Sequence, residues 1–579
     1  MHVDATMNLS PVATARRHLP AIAVLAVLAA GLYGSALGHR FLVTWDDPAY
    51  VTANRDIQAV TWENVKAIFT KTYVYNYAPA HILSYMADRA IWGLRPAGFV
   101  LGNIALHAAS GILFYFLLVT LSWRRAAAFL AAAVFLSNPV QVESVAWISQ
   151  RKTVLSGFFF LGALQAWVLY RRGGRGRWWW YAGSLATFAL ALLAKATTVI
   201  FPLAAIAFDL CTGRDWKDRR TWLDKVPFFV LGLAVAVVTV LAQSPDIGGG
   251  TTGYHGGSAL ATLLTMLPIF ARYMAMALWP TGLSAMYAPP VRTHVDLAVA
   301  GSALLLAGVT ALSFFLWKRR RTLLFWLLLF FIGLLPVSQV VPFVTIINDR
   351  YLYIPMIGAA AFLVGAAFWV LEGAAPVPRP LRFAVVAGLA AVIAHDVLSA
   401  ARRVPVWKDD YALWEDAVRT VPGSFRAHFQ LAHAREIQGD LKAAIQEYEA
   451  GLGLASVPSE RYFLAGCLER TGALEASLEQ YRLALEKLPT FGEARRAIGR
   501  VHNNLGVDAA VHDRMREAVP HFEAAAAFDP LNPRYHYNAG NAYLDMGLPE
   551  RGIAELRRAV ELAPGNPTFE QRLAEASRR

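Results

Sequence analysis

The stretch FAVVAGLAAVIAHDVL, Phe383–Leu398, is the last long apolar run of the chain, and soon after it the sequence changes character. From Trp407 it reads WKDDYALWEDAVRT and then, from Phe425, FRAHFQLAHAREIQGDLKAAIQEYEAGLG, dense in Glu, Arg and Ala with apolar positions at helical spacing. Upstream the balance is reversed. Residues 1–400 hold nearly all the long apolar runs, so the whole chain is 56% hydrophobic and only 16% charged, against about 45–50% and 25% in ordinary soluble domains. The composition predicts an all-α protein in two parts: a membrane domain over 19–400 behind a cytoplasmic segment 1–18, then a helical-repeat domain over 405–579.

A bilayer core of about 30 Å takes roughly 20 apolar residues per helix. Candidate spans are Leu19–Leu37, Phe99–Leu121, Ala126–Leu136 with its extension, Thr153–Tyr170, Trp178–Ala194 and Thr197–Leu210. Val226–Ala242, Leu297–Trp317, Leu323–Val340, Leu352–Leu371 and Phe383–Leu398 bring the number to about eleven. The first run lacks a small-residue cleavage site before the polar segment that follows, so it reads as a retained helix rather than a signal peptide.

The net charge of +13 comes largely from clusters between the apolar runs: Arg16-Arg17, Arg124-Arg125, Arg171 to Arg177, Arg214 to Lys225, Lys318 to Arg321 and Arg379 to Arg382. That is the positive-inside pattern, not a face that tracks phosphates, so no nucleic-acid partner is expected. The run Leu260–Met286 carries Pro268, Arg272 and Pro280 and reads as interfacial or re-entrant. With it left out of the count, every basic cluster is cytoplasmic. The loops 39–98, 138–152 and 243–296, the Asn348-Asp349-Arg350 segment and the repeats then share the exterior face. Two cysteines, Cys211 and Cys467, supply neither a disulfide framework nor a Cys-based metal site.

The exterior loops hold the chemistry. Thr44-Trp45-Asp46-Asp47-Pro48 places two adjacent carboxylates at a membrane exit, suited to act as a general base toward a hydroxyl or to hold a divalent cation; a helix N-cap followed by Pro fits the same residues. Glu143, with Arg151 and Lys152, lies at another bilayer edge, against the positive-inside trend, where the cations could meet a lipid phosphate or simply snorkel. Lys195 stands at the exterior tip of a hairpin between two apolar runs, where an ionisable side chain is expected to have an anionic partner. Asp349-Arg350 offers a second phosphate contact, with pairing of the two as the plain alternative. His107 with Asn103 reads as an interhelical hydrogen-bonding pair, and His395-Asp396 as structural.

The repeats follow the tetratricopeptide period of about 34 residues. Gly439 and Gly472 stand at matching turns, and Pro489, Pro530 and Pro564 close successive units, the 489–530 unit carrying an insertion near Val507–Arg514. About four units are expected, forming a solenoid whose default use is to bind a protein or peptide, with a self-packing cap or dimerisation arm as the alternative.

Taken in order, these motifs resemble a family: Trp45-Asp46-Asp47, Tyr77-Ala78-Pro79 with Leu83-Ser84, Gly93 to Gly98, Asn103 to His107, Pro139 to Trp147 with Arg151-Lys152, Ala194-Lys195, Trp279-Pro280, and Asp349 to Pro355. The chain is similar to the transmembrane-and-tetratricopeptide protein O-mannosyltransferases, polyprenyl-phosphate-dependent glycosyltransferases of the C fold, and looks like a bacterial relative. The resemblance implies an inverting transferase of an inner membrane, with its repeats on the periplasmic side. It would move a sugar, mannose in the family, from a polyprenyl phosphate to a hydroxyl of a protein or envelope acceptor. It implies catalytic roles for Asp46, Asp47 and Glu143, and phosphate contacts from Arg151, Lys152, Lys195, Asp349 and Arg350. Relatives often carry His where this chain has Asn138 and Gln141, so neither a metal nor any further cofactor is assigned. Two rivals stand beside this reading: a non-catalytic membrane scaffold that recruits envelope proteins through the repeats, and a transporter of lipid-linked sugars. The near absence of charge inside the spans argues against the transporter.

Overall fold

The computed structural model describes residues 16–174, 176–242, 252–372 and 378–578. Most of the expected segment 1–18 and part of the 243–296 loop therefore lie outside the described residues. The structure is all helical, with no strand among these residues beyond a single Tyr73–Asn76 bridge. The chain divides into two compact units, 1–420 and 421–579. The boundary falls later than the expected start at Pro405, because residues 405–420 pack on the first unit.

In the first unit, α1 (Leu19–Tyr33) leads to two short helices, α2 (Trp62–Thr70) and α3 (Pro79–Trp92). Next come α4 (Pro96–Thr120), α5 (Arg125–Ser137), the short α6 (Val142–Ala146) and α7 (Arg151–Arg172). They are followed by α8 (Arg177–Ala194), α9 (Phe201–Cys211), α10 (Val226–Ala242) and α11 (Ala259–Leu278). The unit ends with α12 (Leu297–Arg319), α13 (Arg321–Leu334), α14 (Pro355–Leu371), α15 (Arg379–Arg403) and α16 (Asp410–Thr420). Seven helices of the described residues are long and apolar enough to cross a bilayer, or eight if the bent pair Arg125–Ser137 and Pro139–Ala146 is one span. The expected count of about eleven is thus not reached. Three apolar helices, Ala196–Cys211, Arg321–Val337 and Pro355–Leu371, are shorter than a span requires, and Trp178–Ala194 is not among those that qualify. Outward-facing Val230, Leu241, Leu304 and Phe314 leave an apolar surface of the kind a bilayer covers.

The helix ends sort onto two faces. On one, His18 bonds Tyr115 at 2.8 Å, Arg124 pairs with Glu372 at 2.8 Å and Arg320 lies 5.5 Å from the Trp369 ring. Three of the basic clusters meet there. The opposite face gathers Asp47, Trp147, Glu143, Arg350 and Asp349. By length and composition α11 could cross, but both of its ends are fastened to this second face. Before it, His255 bonds Gln339 at 3.2 Å; at its end Asn138 donates to the Ala277 carbonyl at 3.3 Å, and Trp279 stacks on His395 at 3.9 Å. The Leu260–Met286 run, read from sequence as interfacial or re-entrant, thus forms a helix of spanning length whose two ends bond residues of this face.

At the basic end a buried ion cluster ties three elements together. Asp209, at the end of α9 and fully buried, accepts from Arg171 at 2.9 Å, Arg214 at 3.1 Å and the buried Lys225 at 2.5 Å. Asp224 bonds Arg214 and Lys225, each at 2.8 Å.

The second unit holds four helix pairs: α17 (Phe425–Ile437) with α18 (Leu441–Leu454), α19 (Pro458–Arg470) with α20 (Leu474–Lys487), α21 (Gly492–Val511) with α22 (Met515–Phe528), and α23 (Pro533–Asp545) with α24 (Pro549–Leu562). A last helix, α25 (Pro567–Arg578), follows. Each turn within a pair needs a left-handed residue, supplied by Gly439, Gly472, Asp513 and Gly547 with φ of 84°, 85°, 56° and 74°. The insertion lengthens α21 to 20 residues against 13 in the other first helices. Seven residues are close to two turns, so the apolar face keeps its phase and the stacking continues. The same position ties the two helices of the first and fourth pairs: His428–Glu447 and His536–Glu555, both 2.7 Å.

Asp209→Ala should destabilise the first unit by about 3–5 kcal/mol, because it leaves three cations, one of them a fully buried ammonium, with Asp224 as the one carboxylate of the cluster. Thermal unfolding in detergent, with the exposed-pair variant Glu372→Ala as control, measures the difference.

Candidate functional site

The four cations and four carboxylates expected at the exterior edge all lie on the second face, but they do not act alike. Asp47 is fully buried. Its Oδ2 accepts the Leu42 N–H at 2.8 Å; its Oδ1 accepts the Trp147 indole N–H at 2.9 Å, the Ser149 N–H at 3.2 Å and the Ser149 hydroxyl. Burial pushes this carboxyl up to about 6, although the donors from Ser149, Leu42 and Trp147 oppose the shift. Both oxygens are spoken for by the protein, so Asp47 pins the first loop to the segment after α6 and presents no face to a substrate or a cation.

Asp46 is different. Its side chain is 20% exposed, and its nearest cation is Lys152, with Nζ 3.9 Å from Oδ2. Lys152 is in turn held by the Tyr50 hydroxyl at 3.0 Å and lies 4.7 Å from the Tyr50 ring. Tyr50 was not legible as a site residue, since a buried tyrosine in a loop carries no motif.

Glu143 is buried and engaged twice by Arg350, through the guanidinium and through the backbone N–H at 2.9 Å. Arg350 also lies 6.0 Å from the Trp45 ring and 5.8 Å from that of Trp147. Glu143 therefore orients Arg350 instead of facing solvent. Lys195 extends from the break between α8 and α9 and donates to the Thr153 hydroxyl at 2.8 Å. Among the described residues it has no carboxylate partner in an ion pair. It lines a narrow crevice with Thr153, Ser156, Thr197, Arg350 and Tyr351, with about 20 Å³ of free volume. Burial, then the charges of Lys152 and Arg350, depress its ammonium well below the ordinary range. An anion entering the crevice would relieve that repulsion.

Two residues expected to touch a lipid phosphate are consumed elsewhere. Arg151 is 2% exposed and surrounded by Asp88, the Asn103 side chain at 2.8 Å and the Phe99 carbonyl. Gly102 makes room for it, since a Cβ there would fall 2.5 Å from the guanidinium. Asp349 is buried between Arg403 at 3.0 Å and the Tyr287 hydroxyl at 2.5 Å, and burial pushes it up to about 7. It anchors the end of α15 and does not pair with Arg350. As expected, His107 makes interhelical bonds, to the Tyr353 hydroxyl at 3.0 Å and the Leu136 carbonyl at 3.2 Å. The described residues contain no group of three or more His, Cys, Asp or Glu placed to share a metal ion.

Two tetratricopeptide-repeat family models match, at residues 425–457 and 503–567. Curated proteins supply a second likeness. The human protein O-mannosyl-transferase TMTC2 is 28% identical over 34% of this chain and 25% of its own length. The mouse protein O-mannosyl-transferase TMTC3 is 20% identical over 96% of this chain and 65% of its own. The chain is thus similar to the TMTC proteins. It spans less than two thirds of the length of these curated relatives. Among solved structures, YrrB, a TPR protein with an unusual peptide-binding site, is 19% identical over 32% of this chain and 88% of that one, with a TM-score of 0.23.

The two neighbouring acids should separate in a stability test. Asp47→Ala strands three buried N–H groups and should cost about 3 kcal/mol or more, whereas Asp46→Ala should stay within about 1 kcal/mol of the parent. Thermal melts of the two variants side by side check this.

Proposed function

We propose that this protein is a membrane glycosyltransferase that moves a sugar, mannose by analogy with its relatives' names, from a polyprenyl phosphate to a hydroxyl of a protein or envelope acceptor. The observation that carries the reading is the pairing of an accessible carboxylate, Asp46, with a crevice whose Lys195 lacks a carboxylate partner. Asp46 takes the proton of the acceptor hydroxyl as its oxygen attacks the anomeric carbon from the side opposite the phosphate. The bond between that carbon and the phosphate oxygen breaks with inversion, and the phosphate monoester leaves with the electron pair. Lys195 and Arg350, supported by Lys152, stabilise the negative charge that grows on it. A phosphate monoester is a stable anion, so no general acid is needed. Asp47 and Glu143 serve this chemistry from behind, by fixing the loop that carries Asp46 and the guanidinium of Arg350.

Asp46→Asn should lower kcat by about 10²–10⁴-fold in the transfer of radiolabelled mannose from undecaprenyl-phosphate mannose to a Ser/Thr-rich peptide. Lys195→Met should lower kcat/KM for the donor about 10–100-fold, through loss of a charge-assisted contact to the departing phosphate. Full activity in Asp46→Asn would remove Asp46 as the base.

The same reading puts the Asp46 loop and the repeats on the exterior side of a bacterial inner membrane, with the basic clusters inside. In a background without Cys211 and Cys467, single cysteines at Val60 in the first loop and Val511 in the repeats should both react with an impermeant maleimide in intact cells. A cysteine at Trp179 should stay protected until the membrane is opened. Opposite behaviour of Val60 and Val511 would overturn the arrangement.

A further inference from the structure

The segment that leaves the membrane helices after α15 builds the back of the Asp46 loop. Its first turn caps itself: the Asp409 carboxylate accepts the Ala412 N–H at 2.9 Å. That leaves Asp410, the first residue of α16, free to reach outward. Its Oδ2 accepts the Val43 N–H at 2.9 Å, and its Oδ1 accepts the Thr44 N–H at 2.9 Å and the Thr44 hydroxyl at 2.5 Å. One turn on, the Trp414 indole N–H donates to the same Thr44 hydroxyl at 2.8 Å. The Trp414 ring packs 4.9 Å from that of Trp45, and Trp407 lies parallel to Trp147 at 5.7 Å. A further backbone bond, Arg40 N–H to the Lys408 carbonyl at 2.9 Å, closes the contact.

The loop is therefore held by two carboxylates, Asp47 next to Asp46 in the chain and Asp410 from α16. Asp47 grips Leu42 and the Trp147–Ser149 segment from within, and Asp410 grips Val43 and Thr44 from outside. Adjacent peptide N–H groups directed at one carboxylate make charge-assisted bonds, about twice as strong as neutral ones. With Thr44 fixed at its backbone and its hydroxyl, and Trp45 clamped between Trp147 at 4.0 Å and Trp414, the backbone that carries Asp46 has little freedom left.

We infer that Asp410 is a positioning residue for the transfer reaction, acting through Thr44 and Trp45 to hold Asp46 in its reactive orientation. The inference rests on the proposed role of Asp46. It makes the α16 helix, which sequence alone assigned to the repeats, a working part of the catalytic unit. Removing the clamp loosens the base without touching Lys195 or Arg350, so turnover suffers and donor binding does not.

The test uses the full-length protein in detergent, with undecaprenyl-phosphate mannose and a Ser/Thr-rich peptide, and follows amide hydrogen exchange in parallel. Asp410→Asn should lower kcat by about tenfold or more while the donor KM stays within about twofold, and should speed exchange at Val43 and Thr44 by a similar factor. Asp410→Glu should recover part of the turnover, and Thr44→Val, which removes the hydroxyl alone, should fall between. Glu415→Gln, which alters the same helix away from the loop, should match the parent. Unchanged kcat in Asp410→Asn, a parallel change in kcat and KM, or an equal effect of Glu415→Gln would overturn the positioning role. If the parent transfers nothing from this donor, the functional reading falls, and unchanged exchange at Val43 and Thr44 would then overturn the clamp as well.

Discussion

A carboxylate with no exposure to water must find its donors inside the protein, and the arrangement around Asp47 follows from that constraint. Four donors are available only where the loop after α1 meets the turn between α6 and α7, so satisfying Asp47 fixes the register of both segments. Once it is satisfied, Trp147 lies under Trp45, and Asp46 is left as the partner that faces outward. The same economy recurs at Asp409 and Asp410, where the first acid caps its own helix and the second grips the loop. In both pairs, adjacency in sequence places two charges in one locality, and the donors each carboxylate finds give it a different task.

The cations are sorted by the same rule. Arg151 sits where Asp88, Asn103 and a carbonyl can neutralise and solvate it, so it braces α3 and α4 against α7. Arg350 is oriented by Glu143 yet keeps its plane near Trp45 and Trp147. Among the described residues Lys195 bonds a hydroxyl and no carboxylate, with two other cations close by, and the field there favours an anion. Of the four basic side chains expected at this edge, Lys195 has the weakest protein partner, which supports the phosphate contact proposed for it.

Much of this architecture is legible in the sequence, and the rest is hidden for physical reasons. Apolar runs of membrane length and a 34-residue period are one-dimensional signals, so the two-part all-α plan and the four repeats can be read directly. The 489–530 unit shows its seven extra residues as a spacing, though only the structure shows that they extend α21 by two turns. What cannot be read is partnership. Nothing in Asp46-Asp47 says which acid is buried, because that depends on Ser149 and Trp147 a hundred residues away. The count of about eleven spans is not confirmed for a similar reason: the apolar runs around α9, α13 and α14 do not show that their helices stop short of the length a span requires.

The boundary at Thr420 carries the most weight for function. Had α16 belonged to the repeats, the first unit would expose Thr44 and Trp45, and the Asp46 backbone would be held from one side only. Instead the segment from Arg403 to Trp414 returns to the face where α15 ends: Arg403 neutralises Asp349, Trp407 lies beside Trp147, and Asp410 takes the Val43 and Thr44 amides. Each contact joins the C-terminal end of the membrane unit to a segment that also touches Asp46, Glu143 or Arg350. A protein built this way cannot shed its C-terminal junction and keep its site intact. Because the chain passes from α16 into the repeats at Val421, the residues that organise the proposed base are also those through which the repeat array is attached.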